Sequence, residues 1–219
     1  MKTTTAIKKL CPLYFVLLFI ISCSDEAEKT SSAKTDEPGA KAKIETAAKK
    51  DALDPAEKKG IQKWNVNAAA AQIKFNVKGP FGNVDGKLGG LKATILFDKD
   101  HLSASSIRAS TDPKSISTGI KLRNKDLQKE KYFNSAKYPS LSFQSDQIQK
   151  SGTGYKTIGN LTIKGVRKQV EIPFNFSEEG NAGVFNGHFS IQRQDYGIGK
   201  KGGSIGSTVS IDLKVPITK

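Results

Sequence analysis

Apolar and polar residues alternate with a period of two through residues 61–219. From Gln72 to Val77 the apolar Ile73, Phe75 and Val77 interleave with Gln72, Lys74 and Asn76. Between Val170 and Phe176 one face carries Val170, Ile172, Phe174 and Phe176, the other Glu171, Pro173 and Asn175. Phe185, Gly187, Phe189 and Ile191 alternate with Asn186, His188, Ser190 and Gln192. Val209, Ile211, Leu213 and Val215 do the same with Ser210, Asp212, Lys214 and Pro216. Weaker runs cover 92–98, 103–109, 141–144 and 155–163. Successive side chains of a strand point to opposite faces, so these runs predict about eight strands, each with one wet and one dry face. Gly- and Asn-rich turns separate them. The stretch 119–131 breaks the pattern: it is charged, with Leu122 and Leu127 as its apolar points, and predicts a short helix between strands.

One-sided strands in this number must cover their dry faces, which a sandwich or a closed barrel does. A barrel of about eight strands either fills its interior with side chains or holds one small ligand. The dry face is rich in Phe and aliphatics, which suits a hydrocarbon chain and a solid core equally. Both readings stand at this point.

The first sixty residues follow other rules. Lys2, Lys8 and Lys9 precede the apolar run Leu13–Ile21, which is too short for a membrane span and has the length of a signal peptide core. It ends in Ile20-Ile21-Ser22-Cys23, which resembles the lipobox of bacterial lipoproteins. On that reading residues 1–22 are removed, and the Cys23 thiol takes a diacylglyceryl group. The freed amine then takes an acyl chain such as palmitate. Several chains hold a protein on a membrane where one binds only marginally. Ser24 in place of Asp resembles cargo sorted to the outer membrane, and Asp25-Glu26 resembles a surface-export signal. Residues 24–60 carry nine acidic residues against eight lysines and no aromatic, with Pro38-Gly39 and Pro55 as breakers. So little apolar surface does not offset ordering entropy, so 23–60 is expected to be a lipidated cysteine on a disordered tether.

Composition narrows the chemistry. Two Cys and two His exclude a disulfide framework, a multi-cysteine metal site and a histidine-rich centre, so no metal and no cofactor is expected. Residues 61–219 hold 24 basic residues against 12 acidic, a charge that attracts anionic surfaces. An exported, anchored protein meets phospholipid headgroups or a pyrophosphate rather than nucleic acid. Scattered solvating lysines account for the same charge.

Particular strings carry a resemblance. Leu122-Arg123-Asn124-Lys125-Asp126-Leu127, Tyr132-Phe133-Asn134-Ser135-Ala136-Lys137-Tyr138-Pro139 and Leu141-Ser142-Phe143 resemble the YceI-like family. So do Gly159-Asn160-Leu161-Thr162-Ile163-Lys164-Gly165-Val166 and Ile191-Gln192-Arg193-Gln194-Asp195-Tyr196-Gly197-Ile198-Gly199. Trp64, Val66, Ile73 and Phe75 match that family's opening strand, and 115–119 its loop before the helix. The resemblance covers about 61–217 and implies an extended, eight-stranded, lipocalin-like antiparallel barrel. It also implies a pore for a long isoprenoid or related amphiphile: a polyprenyl pyrophosphate, a quinone or a fatty acid derivative. Dimers occur in that family, so the resemblance allows a homodimer, though nothing in these residues establishes one. Asn67, Ala70-Ala71 and Gly79 stand where the family carries Asp, His-Ser and His, and Arg123-Asn124-Lys125-Asp126-Leu127 replaces Arg-Asp-x-His-Leu. Several polar groups of the cavity mouth are therefore replaced, which points to another mode of head recognition or a more neutral lipid.

The expected apolar lining is Phe75, Val77, Phe143, Ile163, Phe174, Phe189 and Ile191, with Arg123, Arg193, Lys200 and Lys201 near the head group. Arg193 and Asp195 alternatively form an ion pair pinning a strand end, and Arg108 fits either role. Trp64 is expected to plug the barrel rather than stack on a ligand. His101 is expected in an exposed turn and His188 on a polar face. Gly202-Gly203-Ser204-Ile205-Gly206 satisfies G-x-S-x-G, but a hydrolase built on Ser204 needs a following helix and a later His, and the sequence has neither. Gly197–Gly202 satisfies G-x-G-x-x-G without opening a helix in a βαβ unit. The reading is an anchored lipid carrier of the Gram-negative envelope that performs no chemistry. Its rivals are a filled barrel acting as a surface interaction module and a lipid esterase.

Overall fold

The computed structural model describes residues 61–219; the expected signal segment, Cys23 and the tether lie outside them. Ten strands build the fold: β1 (Lys63–Val66), β2 (Gln72–Gly79), β3 (Gly82–Leu88), β4 (Lys92–Leu96), β5 (Ser106–Thr111), β6 (Leu141–Ser151), β7 (Gly154–Ile163), β8 (Val166–Glu179), β9 (Ala182–Gln192) and β10 (Thr208–Thr218). A single α-helix among the described residues, α1 (Lys121–Leu127), lies between β5 and β6, inside the expected 119–131 stretch. Antiparallel pairing runs β1-β4-β5-β6-β7-β8-β9-β10 and returns to β1, closing an eight-stranded barrel. The β2–β3 hairpin continues the wall from β10, with Val77 opposite both Val209 and Val84. Because β1 pairs with β10, both ends of the described residues join one ladder, and the barrel is a self-contained folding unit.

All eight expected runs fall on strands, with boundaries that differ: 92–98 ends at Leu96, 141–144 extends to Ser151, and 170–176 lies within Val166–Glu179. The run at 103–109 begins in a 3₁₀ turn, Leu102–Ala104, and enters its strand only at Ser106. Two further strands are present. β1 is four residues long, too short to display alternation. β3 reads Gly-Asn-Val-Asp-Gly-Lys-Leu, mostly poor strand formers, and is a strand through its pairing with β2. Gly86 sits opposite Phe75, whose ring lies over it; a Cβ there would come within 2.1 Å of Phe75 Cζ.

The odd-numbered residues of β2, β9 and β10 face inward, as the alternation required. Pro173 lacks an N–H, and the β8 ladders hand over next to it. Residues 166–174 pair with β7, whereas 174–179 pair with β9. A 3₁₀ turn, Arg193–Tyr196, follows β9, and its Tyr196 packs with Ile163 of β7, Leu141 of β6 and Val166 of β8.

One end of the barrel is filled. Phe97 is 1% exposed, and its ring meets Tyr155, Phe174, Phe176 and Phe185 edge-on at centroid distances of 5.0–5.9 Å. Edge-to-face pairs of this kind add about 0.5–1.5 kcal/mol each beyond the area they bury. Trp64 joins the cluster, donating its Nε1–H to the Phe97 carbonyl at 2.9 Å and packing on Phe176. It is a plug, as expected.

Candidate functional site

Above the aromatic plug the barrel is hollow. A cavity of about 710 Å³ runs from Phe174, Phe185 and Thr157 at its floor to the open end. Strand residues supply its walls: Ile73, Phe75 and Val77 from β2, Ile107 and Ala109 from β5, Leu161 and Ile163 from β7, Phe189 and Ile191 from β9, and Val209, Ile211, Leu213 and Val215 from β10. The seven residues expected as apolar lining (Phe75, Val77, Phe143, Ile163, Phe174, Phe189 and Ile191) all face this cavity. Phe174 also belongs to the plug, stacked on Tyr155 at 5.4 Å, so it is floor and core at once. The interior is thus neither wholly filled nor wholly hollow: one end is packed with aromatic rings and the other encloses the cavity.

Three connections shape the mouth. The β2–β3 turn contributes Pro80 and Phe81, the segment from Ile116 to Phe133 contributes α1, and the 197–206 loop contributes Ile198, Ser204 and Ile205. Backbone bonds tie them to one another: Gly206 N donates to Lys78 O at 2.7 Å, Gly199 N to Lys131 O at 2.9 Å, and Lys87 exchanges both bonds with Ser117. The α1 segment is held at its start by Asn124, whose Oδ1 accepts from Thr118 N at 2.9 Å and Thr118 Oγ1 at 2.8 Å. An aspartate, as in the resembled pattern, would accept the same two bonds, so this departure leaves the helix anchored.

The four expected head-group cations separate in space. Arg123, on α1, is half-buried and lines the mouth. Lys200 and Lys201 are exposed on the 197–206 loop, outside the cavity lining. Arg193 borders the cavity but is only 5% exposed, and its guanidinium is committed to backbone carbonyls. Nε donates to Gly206 O at 2.7 Å, Nη1 to Ile198 O at 2.6 Å, and Nη2 to Ile205 O at 2.8 Å and Lys200 O at 3.3 Å. The expected pairing with Asp195 gives way to this arrangement, because the tight loop aims four carbonyls at one planar fork of donors. Arg193 is therefore a clasp holding the 197–206 loop across the mouth. Gly199 is required beside it: its φ is +71°, and a Cβ would lie 2.6 Å from Nη1.

Beneath the loop, Tyr196 is 2% exposed, and burial, with the Asp195 charge nearby, pushes its phenol up to about 12. The histidines lie elsewhere. His101 Nδ1 meets Asp98 Oδ2 at 2.9 Å in an exposed turn, holding the Asp98 carboxyl below the usual range. His188 meets Asp212 at 2.7 Å on the outer face. Ser204 sits in a loop that leads into β10, without the helix a nucleophile elbow needs. Alternation could not reveal the mouth residues Phe81, Ile120, Tyr132, Phe133, Ile198 and Ile205; the available signal was apolar side chains in segments otherwise polar and glycine-rich.

Comparison with known proteins agrees with this architecture. The YceI-like domain model matches residues 64–217. A UPF0312 protein of Yersinia pestis (strain Pestoides F) is 29% identical over 160 residues, spanning 66% of this chain and 79% of the relative. Among solved structures, BcnA of Burkholderia cenocepacia superposes with a TM-score of 0.67 at 24% identity, over 69% of this chain and 99% of its own. A Campylobacter jejuni YceI protein gives 0.58 at 21%, over 63% and 86%. A polyisoprenoid binding domain from Saccharophagus degradans gives 0.55 at 15%, over 72% and 98%. With the family pattern matched from the first strand to the last, the chain belongs to the YceI-like family.

Proposed function

We propose that this protein is an envelope lipoprotein whose barrel carries a polyisoprenoid or other long-chain amphiphile without chemically altering it. The observation that carries the reading is the cavity of about 710 Å³. Protein interiors tolerate few voids larger than a water molecule, and ligand pockets typically run from about 300 to 1,000 Å³. A lining this apolar gives water almost nothing to bond, so a hydrocarbon tail is the fitting occupant. Burial would hold the tail at about 25 cal/mol per Å² removed from water. The name of the Saccharophagus degradans neighbour, a polyisoprenoid binding domain, supports the same ligand class. Arg123 at the mouth and the exposed Lys200 and Lys201 would meet a polar or anionic head. Anchoring through Cys23 at the outer membrane, with 24–60 as the tether, completes the reading. The filled plug end favours a second one, a surface interaction module.

Native mass spectrometry on residues 61–219, produced in the envelope of a Gram-negative host and followed by organic extraction, tests this. The expected result is a discrete added mass that extracts as a prenyl or acyl lipid. A mass that stays ligand-free after challenge with polyprenols, quinones and fatty acids would overturn the carrier and favour the interaction module. The same spectrum reads monomer against dimer.

A further inference from the structure

The cavity mouth exposes apolar side chains that the fold leaves uncovered. Phe81, at the tip of the β2–β3 turn, is fully exposed; Leu122 on α1 is 70% exposed and Ile120 just before it 49%. These three are the exposed large hydrophobic residues of the described chain, and all three border the cavity. The apolar lining therefore continues outward over the rim. Charge gathers in the same place. The three rim segments, residues 78–82, 118–131 and 197–206, hold eight basic residues against two acidic, an excess of six. The described residues as a whole hold 24 against 12, so half of the excess sits on these short segments. One of the two acids, Asp126, is already paired with Lys129 at 2.7 Å. The opposite end of the barrel is sealed by the aromatic plug.

We propose that the rim is a membrane-docking surface: Phe81, Ile120 and Leu122 enter the interface of an anionic phospholipid bilayer while the surrounding lysines engage its headgroups. An apolar tip ringed by cations matches the amphipathic, negatively charged bilayer surface. A second copy of the chain would bring two cationic rims together, which their charge opposes. Docked this way, the mouth opens directly onto the acyl region, and a lipid passes between bilayer and cavity without crossing water. The inference rests on the lipid-carrier reading for its purpose, but not for its test.

The experiment uses residues 61–219, which lack Cys23 and so report on the barrel alone. Flotation is measured with vesicles of equimolar phosphatidylglycerol and phosphatidylcholine, and with phosphatidylcholine alone. Uptake of a dansyl fatty acid is followed separately, in solution without vesicles. The expected result is flotation with the anionic vesicles, weakening as salt is raised. Phe81→Ser combined with Leu122→Ser should weaken it by about tenfold or more, and Lys121→Glu combined with Lys125→Glu by a similar factor. Lys63→Glu, at the sealed end, should leave it within about twofold at the same salt. No flotation of a protein that takes up the probe would overturn docking and spare the carrier reading. Flotation without probe uptake would support docking and rule out a fatty acid as the cargo. Equal loss in Lys63→Glu would reduce the effect to general charge attraction and overturn the rim assignment. So would a dimer, in place of flotation, that Phe81→Ser dissolves.

Discussion

Replacing Arg193 by lysine keeps the charge but removes the fork of donors that spans the 197–206 loop. Four charge-assisted bonds at 2.6–3.3 Å converge on this guanidinium. Each such bond contributes about 1.5–3 kcal/mol, and one ammonium cannot reach all four carbonyls. The longest bond counts least, and freed carbonyls on an exposed loop recover water. The net cost is therefore about 2–4 kcal/mol, most of it local to the loop. That corresponds to an opening equilibrium shifted by about 30- to 900-fold. Amide hydrogen exchange reads it directly. Ile198 N, bonded to Arg193 O, Gly199 N, bonded to Lys131 O, and Gly206 N, bonded to Lys78 O, should lose protection by that order. Phe97 N, bonded to Gln62 O at the plugged end, should keep its protection up to the limit set by global unfolding. A fluorescent fatty acid trapped in the cavity should escape faster in the variant. Unchanged protection at 198, 199 and 206 would refute the clasp, and equal loss at Phe97 would show that Arg193 stabilises the whole barrel rather than its door.

Phe97→Ala removes the centre of the plug and should cost about 3–5 kcal/mol, lowering the thermal midpoint by about 6–20 °C; a drop under about 2 °C would mean the rings are not packed as described. Phe189→Glu puts a carboxylate into the apolar wall and should abolish lipid retention in native mass spectra of a protein that still melts cooperatively; retention by that variant would remove Phe189 from the lining. Phe174 is a poorer test, since it also belongs to the plug. The raised Tyr196 phenol stays neutral in the folded barrel while its unfolded counterpart ionises near 10. Its contribution is thus complete below pH 10 and is lost between about 10 and 12, amounting to about 2–3 kcal/mol. Tyr196→Phe should flatten that alkaline fall in urea midpoints, and an unaltered slope would contradict it.

Alternation made the walls legible because a strand's two faces meet opposite solvents. Ile73-Phe75-Val77 and Val209-Ile211-Leu213-Val215 state their inward positions residue by residue. β3 was hidden because a glycine under the Phe75 ring serves pairing while erasing the local signal. Whether the interior would be hollow was hidden for a different reason: alternation specifies direction, and volume depends on how eight walls converge. Phe97, just after β4, meets rings from β7, β8 and β9 at one end, and space remains at the other. The role of Arg193 was also out of reach, since its partners are carbonyls, which every residue carries. Only the folded loop shows that four of them point at one side chain.

The aromatic seal at the far end makes the barrel a cup rather than a conduit. A tail seated against Phe174 and Phe185 has nowhere to go but back past Ile198 and Leu122. An incoming molecule cannot push the resident one out from behind, so loading and unloading must alternate through the same door. As the carrier proposed above, the protein would deliver one cargo per encounter and return unloaded. Its throughput in that role would be set by how often it meets donor and acceptor surfaces, not by passage through its interior.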